Sequence, residues 1–365
     1  MKWLIVEDSL RDQTGHWFEY INIFLQGLKS LGDDVTLLVD KQAEQFVKRQ
    51  LGAHAILPPS IFHEMKVEKS IFKRYLSIPI HNWLTFRCLA AWLKSHSVPE
   101  IIFVPTVQVH HLIAWSCLVK VMLRQTQARV ILYFVGAPIH FHASSNMTVW
   151  DSSPTSYLFR CLIRSMKFEI EMGQVILATE TPIMSLSLSG LTGLPFRYFP
   201  QPVASLSEKV QQVEIDIDDD IVFGFYGGAR NAKGEEVLTA AIEKYKRCFS
   251  DSKINFVLNC VGGTEKAWLP LKEMPRVSLI LDYVDSEQYA DYLRSTHAIL
   301  LPYRTSSYAL RGSRVAVEAM TNGIPIVTVR GTTIETQAQE YGAVVLCEDG
   351  DIDSLVDAIR KMEIQ

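Results

Sequence analysis

A chain of 365 residues, 48% hydrophobic and 21% charged, has the composition of a soluble globular protein and enough length for one large or two medium cores. Its net charge of -4 excludes a globally basic nucleic-acid binder, so any anion-binding face has to be local. Six cysteines, at 88, 117, 161, 248, 260 and 347, have neither C-x-x-C nor metal-ligand spacing, which argues for a reducing compartment and no zinc.

In chain order, the first residues enter a strand directly, Trp3 to Val6, with no charged-then-apolar leader, so a cytoplasmic location is expected. An amphipathic helix from Gly15 to Leu31, stopped by Gly32, leads to a strand from Val35 to Val39, a βαβ unit. A polar helix near 43–51 and a strand near 55–57 follow. Between Pro58 and His96, Lys66, Lys69, Lys73, Arg74, Arg87 and Lys94 alternate with aromatics such as Phe72, Tyr75, Trp83 and Trp92. That pattern fits one or two helices, either lying on an anionic membrane surface or covering the fold as a lid with the aromatics inward. Ile101–Val104, Val130–Phe134 and Val175–Ala178 are short apolar runs, read as buried parallel strands. No apolar run approaches the roughly 18 to 20 residues that cross a bilayer; the longest candidate, Val107–Leu123, carries His110, His111 and Lys120. His110 and His111 are adjacent and do not share a helix face, which argues against a metal pair.

The Pro-bearing stretch Phe199–Val203 and the acidic run to Asp220 read as a linker, dividing the chain into 1–203, 204–220 and 221–365. An Asp-x-Asp metal site within 215–220 is set aside because that run precedes a strand. The second domain opens with a strand from Ile221 into Gly227-Gly228, a loop carrying Arg230 and Lys233, and a helix near Gly234. Strands at Ile254–Asn259 and Val277–Leu281 follow, then a helix at Tyr289–Arg294. Next come a strand from Ala298 to Leu301, a polar loop through Arg311, a helix from Ser313 to Thr321 and a strand from Ile326 to Val329. A strand at 344–346 and a helix at 352–362 end the chain. The amides of Gly312, Ser313 and Arg314, at a helix start beyond a strand's carboxyl end, suit an anion, most simply a phosphate. Glu318, one turn on, is placed to accept from a sugar hydroxyl.

The run Val317-Glu318-Ala319-Met320-x-x-Gly323-x-Pro325-Ile326-Val327, with Gly331 and Glu335, resembles the donor-site signature of retaining nucleotide-sugar glycosyltransferases of the GT-B fold. The family brackets its loop with two glutamates; here the second is Glu318 and Leu310 stands at the first. Tyr308, Arg311 and Ser313 match the Tyr-x-x-Arg-x-Ser variant of that loop. The resemblance implies two Rossmann-like domains facing across a cleft, and metal-independent sugar transfer from a UDP- or GDP-sugar, with no further cofactor, to a glycan or lipid-linked acceptor. Arg230 and Lys233 would neutralise the diphosphate, which fixed cations stabilise as its charge grows. Tyr283 and Val284 would edge the nucleobase, Glu318 the ribose. On the acceptor side, the resemblance points to Gly15 in the loop after the first strand and to His140 or His142 beside the reacting sugar. Two other readings remain: a catalytically degenerate binding or scaffold protein of the same fold, and a nucleotide-sugar 2-epimerase.

Overall fold

The computed structural model describes residues 1–13, 17–61, 71–142, 147–203, 220–228, 230–261 and 265–364, with the side chains of 71–76, 265 and 266 left aside. Gly15, Lys66, Lys69 and the linker 204–219 lie outside the described residues, as do the side chains of Phe72, Lys73, Arg74 and Tyr75. The chain divides into two compact units, Met1–Pro202 and Val203–Gln365.

Unit 1 is built on a seven-stranded sheet in the order β3-β2-β1-β4-β5-β8-β9. Its strands are β1 (Lys2–Glu7), β2 (Asp34–Asp40), β3 (His54–Leu57), β4 (Ile101–Val104), β5 (Arg129–Phe134), β8 (Val175–Thr179) and β9 (Phe196–Tyr198), all parallel. A parallel sheet needs both faces covered, and the alternation along each strand meets that need. Leu4, Val6, Ile102, Val130 and Leu132 point to one face, against Leu89, Leu93 and Trp115. Ile5, Leu37, Val39, Phe103 and Tyr133 point to the other, against Tyr20, Ile21 and Leu25 of the helix Trp17–Ser30. A small antiparallel hairpin, β6 (Ile139–His142) with β7 (Met147–Trp150), follows β5. Sequence periodicity shows neither this hairpin nor β9, because these strands are largely unburied and carry no continuous apolar run.

Unit 2 holds a six-stranded parallel sheet in the order β12-β11-β10-β13-β14-β15. The strands are β10 (Ile221–Phe225), β11 (Ile254–Asn259), β12 (Val277–Ile280), β13 (Ala298–Leu301), β14 (Ile326–Val329) and β15 (Val344–Cys347). Every side chain of β13 and β14 is buried, the mark of central strands covered on both faces. Phe223, Phe225 and Phe256 are fully enclosed, each worth about 1.5–3 kcal/mol of transfer free energy. In each sheet the strand order reverses once, between β1 and β4 and between β10 and β13. Such switch points open a crevice beyond the carboxyl ends of the strands, where α/β sheets bind their ligands.

Candidate active site

The two loops at the switch point of unit 2 touch through their backbones. After β10 the chain runs through Tyr226, Gly227, Gly228 and Arg230 into a 3-10 turn, Asn231–Lys233, and then the helix Glu235–Cys248. After β13 it runs through Pro302, Tyr303 and Arg304 into the turn Thr305–Tyr308 and on to the helix Arg314–Thr321. The Arg304 amide donates to the Ala232 carbonyl at 3.0 Å, tying one loop to the other. Two glycines make this approach possible. Gly234 has φ +72°, and a Cβ there would lie 2.0 Å from the Pro302 carbonyl oxygen. A Cβ on Gly227 would lie 2.0 Å from the Tyr303 hydroxyl. Only the absence of side chains lets the strands' ends close on each other.

The contact brings the cations together. Burial pushes the Lys233 ammonium down to about 7, and the positive charges of Arg230 and Arg311 add to the shift. Its Nζ sits 5.4 Å from the Tyr303 ring centroid, a cation–π contact. Arg311 lies over the Tyr308 ring at 5.9 Å. Its loop is fastened from beneath by Thr333, whose hydroxyl donates to the carbonyls of Arg311 and Tyr308. Ser313 caps the following helix, its Oγ accepting from the Ala316 amide at 3.3 Å. The helix expected there is formed and begins at Arg314.

Glu318 is buried on that helix and already partnered. Its Oε1 accepts from Arg314 Nε at 2.6 Å, one turn back, and its Oε2 from the Tyr289 hydroxyl at 2.6 Å. A carboxylate offers about four lone-pair positions, so two remain for a ligand hydroxyl. Burial, then the Glu318 charge, holds the Tyr289 phenol well above its usual range, so it donates at every physiological pH. The partnership of Tyr289 with Glu318 is not visible in the sequence, since a tyrosine on an amphipathic helix carries no signal of a partner 29 residues away, whereas Arg314 and Glu318 stand four apart on one helix. Tyr283 is half-exposed beyond β12, and Val284 packs partly into the core beside it. They precede Asp285, which caps the helix Ser286–Arg294 that carries Tyr289. Leu310, at the position of the family's first glutamate, is buried, where an unpaired carboxylate would be costly.

In unit 1, His140 stands on β6 and its Nδ1 lies 2.7 Å from Asp151 Oδ1, while its Nε2 faces His142 Nε2 at 2.9 Å. The switch point between β1 and β4 carries carboxylates and imidazoles. Glu7 at the end of β1 is buried, accepting from Thr106 Oγ1 at 2.6 Å and from the Ser9 amide at 2.9 Å. Burial and the neighbouring Asp8 charge push its carboxyl up to about 7. Asp8 Oδ2 lies 3.2 Å from His111 Nε2 and 3.3 Å from His81 Nε2. Burial alone would raise the Asp8 carboxyl, but His111 and His81 together outweigh it and hold it well below the usual range. Burial likewise pulls His111 down, and the Asp8 charge lifts it to a net upward shift. His110 goes the other way, down to about 2, through burial and the His111 charge.

The helix Ile71–Ser95 accounts for the basic and aromatic stretch. Its buried side includes His81, Asn82, Leu89 and Leu93, and Phe86 and Trp92 pack partly against the core, while the aromatic side chains of 62–76 lie outside the described ones. Asn82 anchors it, donating to the Ile78 and His110 carbonyls and accepting the Ala114 amide at 2.8 Å. Trp83 is exposed and carries Arg87 over its ring at 4.6 Å. Among the described residues no helix is long and apolar enough to cross a membrane.

Residues 220–363 match the family model of glycosyl transferases group 1, so nearly all of unit 2 is a domain of that kind. No curated protein matches the sequence. Among solved structures, the whole chain aligns with 90% of the lipopolysaccharide outer core galactosyltransferase WaaB at 12% identity and a TM-score of 0.64. It also aligns over its whole length with 93% of a UDP-GlcNAc 2-epimerase from Methanocaldococcus jannaschii, at 15% identity and TM-score 0.55. Over 98% of its length it is similar to 89% of Anabaena HepE in complex with UDP and glucose, at 11% identity and TM-score 0.59. At these identities the likeness is one of fold. The whole chain thus shares the GT-B fold of two Rossmann-like units, and its second unit carries the domain similar to glycosyl transferases group 1.

Proposed function

We propose that the chain moves a sugar from a nucleotide-diphosphate donor to an acceptor hydroxyl of a glycan or lipid-linked glycan, and that Arg230, Lys233 and Arg311 hold the donor's diphosphate. One observation carries this reading. Lys233 is drawn out of water into the company of two arginines, which costs free energy until an anion arrives. A diphosphate supplies that anion, and its charge grows as the glycosidic bond breaks, so the cations favour the transition state over the ground state. The start of the helix Arg314–Thr321 adds its dipole. Glu318, fixed by Arg314 and Tyr289, keeps acceptor positions for the ribose hydroxyls. Tyr283 and Val284 edge the base, and Tyr308 and the close-packed glycines at 227 and 228 shape the wall. Cations in place of a bound metal make the donor chemistry independent of magnesium. Retention of configuration rests on the 317–335 signature alone, and His140, with Asp151 behind it, is the acceptor-side base or sugar contact to test.

The deciding experiment is turnover. The protein is incubated with UDP- and GDP-sugars, with and without chelator, and products are followed by NMR. Slow release of nucleoside diphosphate and free sugar in chelator, with the α-anomer appearing first from an α-linked donor, supports a retaining, metal-independent transferase. Interconversion of two donor epimers would make it an epimerase instead. Binding without any turnover would make it a scaffold.

A further inference from the structure

We propose that Asp8, His81 and His111 form a binding site for a divalent transition-metal ion of the zinc class. They converge from three elements: Asp8 from the turn after β1, His111 from the 3-10 turn Val109–His111 after β4, and His81 from the helix Ile71–Ser95. Their ligand atoms all lie within 4.8 Å of one another. Zinc–ligand bonds of about 2.0–2.1 Å in a tetrahedron set neighbouring donor atoms roughly 3.3–3.4 Å apart. The two separations from Asp8 Oδ2, 3.2 Å to His111 Nε2 and 3.3 Å to His81 Nε2, are close to that edge length. They are long for a charge-assisted hydrogen bond, which runs about 2.7–2.9 Å.

The surroundings point the same way. His81 Nε2 is buried, and its near partner is the Asp8 carboxylate, 3.3 Å away, a contact too long to satisfy an interior imidazole nitrogen well. Asn82, bonded to the Ile78, His110 and Ala114 backbone, fastens the helix beside His81 to the turn that carries His111 and fixes the donor positions without a metal. A cavity of about 20 Å³, lined by Asp8, Thr106 and His111 among others, adjoins two of the three ligands and has room for about one water. Two imidazoles, one carboxylate and an open position is a donor set that zinc and its neighbours accept. The Gln108 amide donates to His111 Nδ1 at 3.2 Å, a long bond that breaks when Nδ1 takes up the proton and frees the Nε2 lone pair for an ion.

The test uses the full chain, stripped with chelator and titrated with Zn²⁺ and separately with Co²⁺. The expected result is one ion per chain, a higher Tm with Zn²⁺, and the intense visible band of four-coordinate Co²⁺. His81→Gln and Asp8→Asn, each checked for native circular dichroism, weaken Zn²⁺ binding roughly tenfold or more and remove the band. The double variant His140→Ala/His142→Ala keeps both. A folded wild-type chain that gives no Co²⁺ band overturns the proposal. So does Zn²⁺ binding that survives in His81→Gln and is lost with His140 and His142, the facing pair on the hairpin.

Discussion

The two switch points of this protein share a topology and differ in charge. Both lie where a strand order of the Rossmann kind reverses, between β1 and β4 in unit 1 and between β10 and β13 in unit 2. In unit 2 the strand ends deliver Arg230, Lys233 and Arg311 around glycines. In unit 1 they deliver Glu7 and Asp8 with two imidazoles. The same frame thus gathers cations at one crevice and carboxylates with imidazoles at the other. Topology fixes where a ligand can go; the residues in the first loop after the strand decide its sign.

The comparison breaks most severely at the glycines. Gly234→Ala sets a Cβ 2.0 Å from a backbone oxygen in a left-handed conformation, so the β10 and β13 loops must part. The expected cost is roughly 3 kcal/mol or more, read as a large drop in the denaturation midpoint, with nucleotide affinity lost as well. Glu318→Ala comes next: Arg314, whose side chain is only 8% exposed, loses its buried partner. Removing one member of such a pair costs about 3–5 kcal/mol, and Glu318→Gln recovers part of it in a urea melt. Tyr289→Phe deletes one hydrogen bond to a charged group, worth about 1.5–3 kcal/mol, and loosens Glu318 without removing it. Its effect on donor binding is therefore smaller than that of Glu318→Ala.

A pH series sharpens the comparison more gently. Lys233 is depressed to about 7 in the folded chain, against 10.5 for an ordinary lysine, so the unfolded state holds more protons between those values. In that window Lys233 makes stability rise with pH, while the affinity for a nucleoside diphosphate falls because the cation is lost. Glu7, raised from 4.5 to about 7, works below it: the folded state holds the extra proton, so this group's contribution is present below 4.5 and lost as pH rises through 7. Lys233→Met should flatten the upper dependence and leave the lower one; Glu7→Gln should do the reverse.

Much of unit 2 was legible in the sequence because its chemistry is local. Gly227, Gly228, Arg230 and Lys233 fall within one strand–loop–helix unit, and Ser313 to Glu318 within another. Chain periodicity finds those units, and the strand ends then fix where the loops meet. The helix after the β13 loop begins at Arg314, with Ser313 as its cap, a boundary shift of one. Unit 1's crevice was not legible. Asp8 and His111 stand 103 residues apart, and His81 arrives on a helix whose sequence reads only as basic and aromatic. His110-His111 was set aside as a metal pair because neighbours do not share a helix face, and that argument is sound for the two together. It says nothing about one of them meeting partners from distant elements. Tyr289 was hidden for the same reason.

The most direct test of the account is isothermal titration of UDP and GDP, in chelator, into the wild type and into Arg230→Ala/Lys233→Ala. Each charged contact to a phosphate is worth about 1.5–3 kcal/mol. The account predicts magnesium-independent binding of one nucleotide, weakened roughly a hundredfold or more in a double variant that keeps its circular dichroism. Equal affinity in the two folded proteins would contradict it.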